Sequence, residues 1–314
     1  MITRVLEGEG VAVVIPCLDE EATIGKVVSD FKRVLPRARV LVIDNRSKDQ
    51  TAARAAEAGA EVAEEKRKGK GFALLQGIAL TRDAEYIVMV DGDDTYPAED
   101  APKLLEAALG GFDMVIGVRL QDHAAKAFRP GHAFGNWLFN TVVRVLFGTK
   151  SHDLFSGYRV ISKRYLDESP LIAQGFEVET ELSIQALARN FEVGAVPVHY
   201  RERQKGSSSK LQTYRDGYRI SIALLGYFRD YRPLTCFGVI AAVLLAFALS
   251  GGWIVVDEFI RTKWVGRLPL AVLSAATFLL SAISFMTGLL LSASNRRFDA
   301  LAAVVRRHSG RGVS

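Results

Sequence analysis

Two long stretches near the C-terminal end of this chain contain no charged residue, and they restrict its fold more than any other feature. They cover residues 234–256 and 268–294. As helices, both are long enough to cross the roughly 30 Å hydrocarbon core of a bilayer. Neither lies at the N-terminus, so neither is interpreted as a signal peptide. Two buried core helices are the alternative, but the lengths favour two membrane spans in a membrane domain over residues 233–314.

Charge is distributed unevenly along the chain. The net charge is −5 over residues 1–200 and +5 over each of residues 201–232 and 233–314. The basic residues therefore flank the predicted spans, where anionic headgroups or a lipid phosphate would lie, and they do not indicate nucleic acid. The arginine bias predicts an integral protein of the cell membrane, with both termini and the part of the chain before the spans in the cytoplasm. Cys17 and Cys236 fall in a predicted strand and a predicted span, so no disulfide is expected.

Short apolar runs alternate with helical patterns in the first part of the chain. Strands are predicted at residues 11–16, 40–43, 86–90 and 114–118, and helices at residues 24–35, 50–58, 71–80 and 101–109. This alternation is typical of an α/β fold in which helices cover both faces of a parallel sheet. Ligands bind such sheets at the carboxyl ends of the strands.

After residue 130 the pattern changes. An aromatic-rich amphipathic helix is predicted at 134–147, a turn entering a strand at 156–159, a helix at 178–188 and a strand at 193–200. Residues 211–232 mix apolar and aromatic residues with spaced arginines, which favours one or two amphipathic helices in the membrane interface.

The main chemical motif is Asp91-Gly92-Asp93, which directly follows an apolar strand. Two carboxylates separated by one small residue can approach a divalent cation and a diphosphate together. The glycine lets the backbone and a ligand come close. A surface loop is the alternative for so short a string. Its position after a strand favours a metal site, with Mg²⁺ or Mn²⁺ as the cofactor.

Two other strand ends carry acidic residues. Asp44 follows the second strand and is suited to accept from a nucleobase N–H, although it is equally suited to cap the next helix, as Ser47 or Asp49 would. Asp19 and Glu20 follow the first strand, where they either meet ribose hydroxyls or begin a helix. Acids at three strand ends predict a nucleotide site on one edge of the sheet.

Two basic segments complete the pattern. Residues 66–71 form a glycine-punctuated helix start that suits donor phosphates, and a solvated charge run is the alternative. Their spacing is not that of a P-loop. Residues 201–210 combine cations with three serines, which indicates either a flexible linker or a loop that closes over a diphosphate. Arg119, Arg129 and Arg159, each taken alone, are typical of surface ion pairs. Glu177, Glu179 and Glu181 form an acidic stretch, in which Glu177 and Glu181 share a helix face and are interpreted as compensation for a helix dipole.

Together these residues resemble the polyprenyl-phosphate glycosyltransferases of glycosyltransferase family 2, the group that includes dolichol-phosphate mannose synthase. The resemblance runs from Val11 to Lys210, and the two spans resemble those of bacterial members. It is carried by these strings: Ile15-Pro16-Cys17-Leu18-Asp19-Glu20, Ile43-Asp44-Asn45-Arg46-Ser47-Lys48-Asp49, Gly69-Lys70-Gly71, Asp91-Gly92-Asp93, Asp153 with Ser156-Gly157-Tyr158-Arg159, Phe176-Glu177-Val178-Glu179, and Ser209-Lys210-Leu211.

The resemblance implies a GT-A fold over residues 1–210 and a role for each matching residue. Pro16, Leu18, Glu20, Ile43 and Asp44 would hold the nucleoside. Asp91 and Asp93 would bind the metal, and Gly92 would lie with them against the diphosphate. The implied basic donor-binding residues are Lys70, Arg119, Arg203 and Lys210. Arg129 is the nearest match to an acceptor-phosphate arginine, and Asp153 would position the acceptor or take a residual proton. Asp153, Asp93 and Arg129 form the implied catalytic set.

The predicted reaction is inverting transfer of a hexose from a UDP- or GDP-sugar to a polyprenyl phosphate at the cytoplasmic membrane face. The predicted partners are the nucleotide-sugar donor, the lipid acceptor and the bilayer, and a homo-oligomer is left open. Two alternatives remain: a glycosyltransferase for another membrane lipid, such as diacylglycerol, and a non-catalytic membrane scaffold with a GT-A shell. The intact acidic strand ends disfavour the scaffold.

Overall fold

The computed structural model describes residues 2–119, 156–169, 171, 175, 178–201, 222 and 225–309. The chain divides into two compact units, Met1–Ala223 and Leu224–Ser314. The first is an α/β unit, and the second is a helical hairpin. Each is described by itself.

The first unit contains a seven-stranded sheet with helices on both faces. Its strands are β1 (Val11–Cys17), β2 (Arg39–Asp44), β3 (Glu61–Glu64), β4 (Tyr86–Met89), β5 (Met114–Arg119), β6 (Arg159–Ser162) and β7 (Val193–Val198). Its helices are α1 (Ile2–Leu6), α2 (Ile24–Val34), α3 (Thr51–Glu57), α4 (Lys70–Leu80), a 3₁₀ turn at Ala98–Asp100, α5 (Ala101–Leu109), α6 (Lys163–Glu168) and α7 (Val178–Ala188).

The strand order is β3-β2-β1-β4-β6-β5-β7. Strand β6 runs antiparallel to both of its neighbours, whereas the other strand pairs are parallel. The expectation of a parallel sheet was therefore wrong for β6, and the sheet is mixed. Apolar runs reveal that a strand is buried but not its direction, which depends on where the chain re-enters the sheet.

Two apolar clusters sandwich the sheet, because successive side chains on a strand point to opposite faces. On β1, Val13 and Ile15 join one cluster with residues of α2 and α5, whereas Val14 joins the other with residues of α4 and α7. Both faces are covered, which explains why these strands read as continuous apolar runs. Strand β3 escaped prediction because three of its four residues are exposed.

The strand order reverses between β1 and β4. The chain passes from β1 to β2 and β3 on one side and then returns to place β4 on the other side of β1. In open α/β sheets, a crevice forms outside the carboxyl ends of the strands at such a reversal. The Thr23 hydroxyl spans it here and donates a 2.7 Å hydrogen bond to the Gly92 carbonyl.

The second unit contains two long helices, α8 (Pro233–Thr262) and α9 (Leu268–Ser309), preceded by helical residues 225–231. Both are long and apolar enough to cross a membrane. The connection is shorter than the sequence suggested, because α8 continues to Thr262. Most of the large apolar side chains are exposed, including Trp253 at 74% and Phe247 at 69%. That exposure contradicts the alternative of two buried core helices.

Small residues and hydroxyls form the seam of the hairpin. Ser281 donates a 2.8 Å bond to the Ala241 carbonyl, and Ser284 donates a 3.1 Å bond to the Phe237 carbonyl. A Cβ at Gly288 would lie 3.0 Å from the Phe237 Cβ, so glycine lets the helices approach closely. Close approach through small residues is the usual basis of helix packing in lipid.

Candidate active site

Loops from the first two strands are tied together at the carboxyl edge of the sheet. The Asp19 amide donates to the Ser47 hydroxyl at 2.9 Å, and the Lys48 amide donates to the Asp19 carboxylate at 2.7 Å. The Glu20 amide donates to the Thr51 hydroxyl at 2.8 Å. These bonds hold the predicted nucleoside loops in one arrangement. They also bring Pro16, which is part-buried, close to the end of β2, where it pairs in register with Ile43.

Asp44 ends β2, as predicted, and is almost fully buried. Its carboxylate accepts from the Ser47 amide at 3.3 Å. The start of α3 is instead held by Asp49, which accepts from the Thr51 amide at 3.0 Å. The N-cap residue itself is Gln50, which makes no side-chain cap bond. Asp44 therefore does not cap the helix and stays at the strand end beside the Asp19–Glu20 loop.

The acidic motif lies at the end of β4. Asp93 is buried, and its carboxylate accepts from the Thr95 amide at 3.2 Å and the Thr95 hydroxyl at 2.6 Å. A Cβ at Gly92 would lie only 2.5 Å from the Cys17 sulfur, so a larger residue would push the motif off β1. The neighbouring Asp94 takes a left-handed backbone (φ 58°) and accepts from Lys26 at 2.7 Å. The motif is thus fixed on both sides.

Lys70 begins α4 and joins two acids from distant parts of the sequence. Its ammonium lies 2.5 Å from both the Asp91 and the Glu179 carboxylates. Burial acts to lower the pKa of Lys70, but the two carboxylates outweigh this effect and raise it. Burial raises the pKa of Glu179, and although Lys70 opposes the rise, the Asp91 charge adds to it. Lys70 therefore stays protonated between its two partners.

Gly157 lies against Asp91, and the charge of Arg159 acts on Glu179. A Cβ at Gly157 would collide with the Asp91 carboxylate, so glycine is what leaves room for it. Arg159 is fully buried, where its guanidinium donates to the Ser156 carbonyl at 2.9 Å and the Ser183 hydroxyl at 2.8 Å. The interpretation of Arg159 as a surface residue was wrong. Its charge lies in the interior, on the strand next to β4.

Asn45 fixes the segment that leads to Lys70. Its amide nitrogen donates to the Glu65 carbonyl at 3.0 Å and the Arg67 carbonyl at 2.7 Å, and its oxygen accepts from the Gly69 amide at 2.8 Å. Gly69 has φ 149°, in the region that favours glycine. Asn45 therefore sets where α4 starts and where Lys70 enters the site.

The residues present fit a divalent cation that shares its ligands with a substrate. Among the described residues, no three His, Cys, Asp or Glu side chains lie together as a self-contained metal site. Asp91 and Asp93 nevertheless supply hard carboxylate oxygens at one strand end, and the absence of a Cβ at Gly157 keeps space beside Asp91. Mg²⁺ typically uses one or two carboxylates and completes its shell with water and phosphate oxygens.

The predicted donor-binding residues that the structure describes lie at this edge, and one of them, Ile43, is buried. Leu18 and Glu20 follow β1, and Arg119 ends β5, with its guanidinium carbon 5.4 Å from the centre of the Tyr200 ring. Ile43 is fully buried in an apolar cluster, where it contributes packing and offers no surface to a ligand. The remaining predicted residues lie outside the described part of the chain: Arg129, Asp153, Arg203 and Lys210.

Glu179 is a site residue that the sequence interpretation missed. Acidic residues at a helix start usually complement the helix dipole, and the sequence interpretation gave that role to Glu177 and Glu181 and no site role to Glu179. Glu181 and Ser183 are also buried on the same helix. A helix start whose polar residues are all buried differs from a solvated one, but burial cannot be read from the residue types alone.

A family model and two relatives described here match this chain, and all three are named for glycosyl or hexose transfer. The family model described as glycosyl transferase family 2 matches residues 12–169. Glycosyltransferase AglJ of Haloferax volcanii is 33% identical over 282 residues, which cover 90% of this chain and 92% of that protein. The dolichyl-phosphate hexose transferase of the same organism is 32% identical over 218 residues, which cover 69% of this chain and 93% of that protein.

A solved structure shares the architecture. Glucosyl-3-phosphoglycerate synthase from Mycobacterium tuberculosis, crystallised with Mn²⁺ and UDP-glucose, superimposes with a TM-score of 0.59 at 25% identity. The match covers 72% of this chain and 83% of that one.

Proposed function

We propose a specific reaction for this chain, which belongs to glycosyl transferase family 2 and is a glycosyltransferase with a GT-A type of mixed sheet. It transfers a hexose from a nucleotide-sugar to a polyprenyl phosphate and inverts the anomeric configuration. The relative named dolichyl-phosphate hexose transferase supports the acceptor. The M. tuberculosis synthase, which binds Mn²⁺ and UDP-glucose, supports the donor and the metal.

One observation carries this proposal: Asp91 and Asp93 follow β4 at the reversal of strand order, beside the loop after β1. A nucleotide bound in that crevice would direct its diphosphate toward these two carboxylates. Without a cation, two carboxylates would repel a diphosphate. The two carboxylates therefore bind the diphosphate when a divalent cation lies between them and the diphosphate.

The donor is held by residues from several strand ends. In the proposal, Pro16, Leu18, Glu20 and Asp44 contact the nucleoside, and Arg119 contacts the donor phosphates. Arg203 and Lys210 complete the phosphate contacts from the segment after β7. A bound Mg²⁺ or Mn²⁺ would offset the charge that grows on the departing nucleoside diphosphate.

The acceptor explains why no strong base is needed. The second pKa of a phosphate monoester is about 6, so at neutral pH its attacking oxygen is mostly ionised already. That oxygen forms the new bond to the anomeric carbon as the bond to the diphosphate breaks. The main barrier is the approach of two anions, which arginine reduces because its planar fork matches phosphate geometry. Arg129 takes this role in the proposal, and Asp153 positions the acceptor.

The hairpin brings the enzyme to its acceptor. In the proposal the catalytic unit, Met1–Ala223, lies at the cytoplasmic face of the membrane. Two helices that could span a membrane, with arginines on either side of them, support this orientation. A reporter fused after Ser314 tests this orientation. Activity of the reporter only on the outer side of the membrane would reject it.

The experiment that tests the reaction uses the full chain in lipid nanodiscs. UDP- and GDP-hexoses are offered with either polyprenyl phosphate or diacylglycerol, in Mn²⁺ or in EDTA. We expect a glycolipid from polyprenyl phosphate in Mn²⁺ and none in EDTA. Transfer to diacylglycerol alone would reject the acceptor, and no transfer with any pair would reject the reaction. Proton NMR of the product from an α-linked donor should show a β linkage.

A matched pair of variants separates the site from general effects. Asp91→Asn removes a charge from the motif, and Asp83→Asn removes one from a side chain that is 80% exposed at the other end of β4. We expect loss of transfer in the first and normal transfer in the second. Equal activity in both would remove Asp91 from the reaction.

A further inference from the structure

Glu179 and Lys70 form a buried charge pair directly behind the acidic motif. Their side chains are 10% and 13% exposed, and the ammonium lies 2.5 Å from the Glu179 carboxylate. The same ammonium lies 2.5 Å from Asp91. Lys70 thus divides one positive charge between a carboxylate at the edge of the site and a carboxylate behind it.

The sum of charges explains why the second carboxylate matters. With both carboxyl groups ionised, Asp91, Lys70 and Glu179 together carry one negative charge. Arg159 adds a positive charge that acts on Glu179, and it is present in the wild type and in the variants compared below. Without Glu179, the Lys70 charge would be opposed by Asp91 alone, and the pair would be neutral. A divalent cation approaching Asp91 would then meet a fully compensated carboxylate. Inside a protein such unit charges act strongly, because the effective dielectric is well below that of water.

We propose that Glu179 is a positioning residue that keeps the Asp91 carboxylate available to a divalent cation by sharing the charge of Lys70. The proposal rests on the metal role of Asp91 in the proposed function. It assigns Glu179 no contact with substrate or metal. It also gives Lys70 a second role, since its ammonium fixes the orientation of Asp91 whether or not it also contacts donor phosphate.

The geometry supports a dedicated arrangement. Helix Val178–Ala188 starts one residue before Glu179, so the carboxylate projects from a fixed helical turn. Asn45 fixes the entry of Lys70 from the opposite side through its bonds to the Glu65–Gly69 segment. Gly157 leaves room for Asp91 itself. Residues from four separate segments therefore favour one orientation of the Asp91 carboxylate.

The test measures Mn²⁺ affinity directly, by electron paramagnetic resonance of free Mn²⁺ with the full chain in nanodiscs. Mn²⁺ is titrated with whichever of UDP and GDP stabilises the wild-type chain, at pH 8, where carboxyl groups with raised pKa values are more fully ionised. We expect Glu179→Gln to weaken Mn²⁺ binding roughly tenfold. The double variant Glu179→Gln with Lys70→Gln restores the net charge, so its affinity should return to within about threefold of the wild type.

Glu181→Gln is the matched control. Glu181 lies on the same helix and is buried as well (1% of the residue exposed, against 7% for Glu179). Its substitution removes the same charge, but its carboxylate accepts from Gln185 at 3.0 Å. Its Mn²⁺ affinity should change by less than about threefold. Thermal unfolding in EDTA shows whether each variant is folded. Should Glu179→Gln not fold, Glu179→Asp replaces it: the charge is kept, so Mn²⁺ affinity should stay within about threefold of the wild type.

Defined outcomes overturn the proposal. The proposal is overturned if a folded Glu179→Gln variant binds Mn²⁺ with wild-type affinity. It is also overturned if the double variant binds Mn²⁺ as weakly as Glu179→Gln alone. A tenfold loss in Glu179→Asp overturns it as well, because the charge is still present. A wild-type chain that binds no Mn²⁺ overturns both this proposal and the metal in the proposed function. A chain that binds Mn²⁺ in the expected order but does not glycosylate polyprenyl phosphate overturns the acceptor alone.

Discussion

The two units of this chain bury different kinds of side chain. In the catalytic unit, the charged residues Arg159 and Asp93 are buried and hydrogen-bonded. In the hairpin, large apolar residues such as Trp253 are exposed, and the small residues Ala241 and Ser281 are buried. Each unit matches a different solvent. Water drives apolar side chains inward, whereas lipid does not, so small residues that let helices approach closely form the interior.

The largest effect is expected at the acidic motif, where the catalytic unit differs most from the hairpin. Asp91→Asn and Asp93→Asn should each reduce transfer at least about a thousandfold, because a cation that offsets leaving-group charge contributes several kcal/mol to the barrier. Initial rates with the nucleotide-sugar identified by the donor screen measure the loss.

Circular dichroism and thermal unfolding should show that both asparagine variants are folded. Near-normal turnover of either variant in excess Mn²⁺ would contradict the metal role of that residue. The Asp93 carboxylate accepts a hydrogen bond from the Thr95 hydroxyl, so Asp93→Asn also tests whether the motif keeps its shape with an amide at that position.

The next-largest effect is expected at Gly157 of the catalytic unit, which is compared with Gly252 of the hairpin. Gly157→Ala should destabilise the catalytic unit by about 1–3 kcal/mol, because the new Cβ collides with the Asp91 carboxylate. It should also lower transfer by displacing Asp91. In the hairpin, a Cβ at Gly252 meets nothing within 4 Å, so Gly252→Ala should be neutral or slightly stabilising. Chemical denaturation and transfer rates measure the two variants side by side.

Equal stability changes at the two glycines would mean that packing around Asp91 is looser than the structure shows. Unchanged transfer in Gly157→Ala would mean that the Asp91 carboxylate can move aside without loss of activity.

Both units were largely predictable where a residue pattern has one physical meaning. The two uncharged stretches predicted α8 and α9, because uncharged helices of that length match the thickness of a bilayer. Helices α5 and α7 begin and end at the predicted residues. In α5 the apolar periodicity matches the buried face, whereas residues 178–186 of α7 are buried on every side. Asp44 and Asp91 were placed correctly at strand ends, because carboxyl ends of strands share one edge of the sheet.

The rest depended on contacts between distant segments. Nothing in the string Phe176-Glu177-Val178-Glu179 reveals that Glu179 meets Lys70, which is 109 residues away. Arg159 resembled a surface residue because arginine usually is one, and only the placement of β6 inside the sheet buries it. The direction of β6 was likewise hidden, since a buried strand has the same composition in either orientation.

A smaller effect is expected from a buried carboxylate away from the motif. Asp100 is 1% exposed and accepts from Lys103 at 2.9 Å and from the His199 amide at 2.8 Å. Burial acts to raise the pKa of Asp100, but these bonds outweigh it and lower the pKa. Asp100→Asn should therefore cost about 1 kcal/mol at neutral pH.

The pH dependence of this difference has a defined sign. A carboxyl group whose pKa is lowered by folding stabilises the native state above its unfolded pKa of about 4. That contribution is lost as the pH falls through the folded value. Denaturation of the wild type and Asp100→Asn between neutral and acid pH should show curves that converge below about pH 4. Curves that separate further in acid would contradict the lowered pKa.

The smallest effect is expected in the hairpin, where two serine variants test whether its interior differs from that of the catalytic unit. Ser281→Ala and Ser284→Ala each remove a hydroxyl that donates to a carbonyl of the facing helix. Each should cost only about 0.6 kcal/mol, because the helices remain packed through small residues and hydrogen bonds in lipid contribute modestly. Reversible unfolding in mixed micelles measures the change.

Two hydroxyls serve as references for the serines. Thr277 donates to the Leu273 carbonyl within its own helix, so Thr277→Ala should change hairpin stability by less than Ser281→Ala does. In the catalytic unit, Thr23→Val leaves the buried Gly92 carbonyl without its hydroxyl donor and should cost about 1–3 kcal/mol. If Ser281→Ala costs as much as Thr23→Val, the hairpin interior behaves like the interior of a water-soluble unit, because a lost bond then leaves a fully desolvated carbonyl. A cost well below that of Thr23→Val indicates instead that close backbone packing, rather than the hydroxyls, holds α8 against α9.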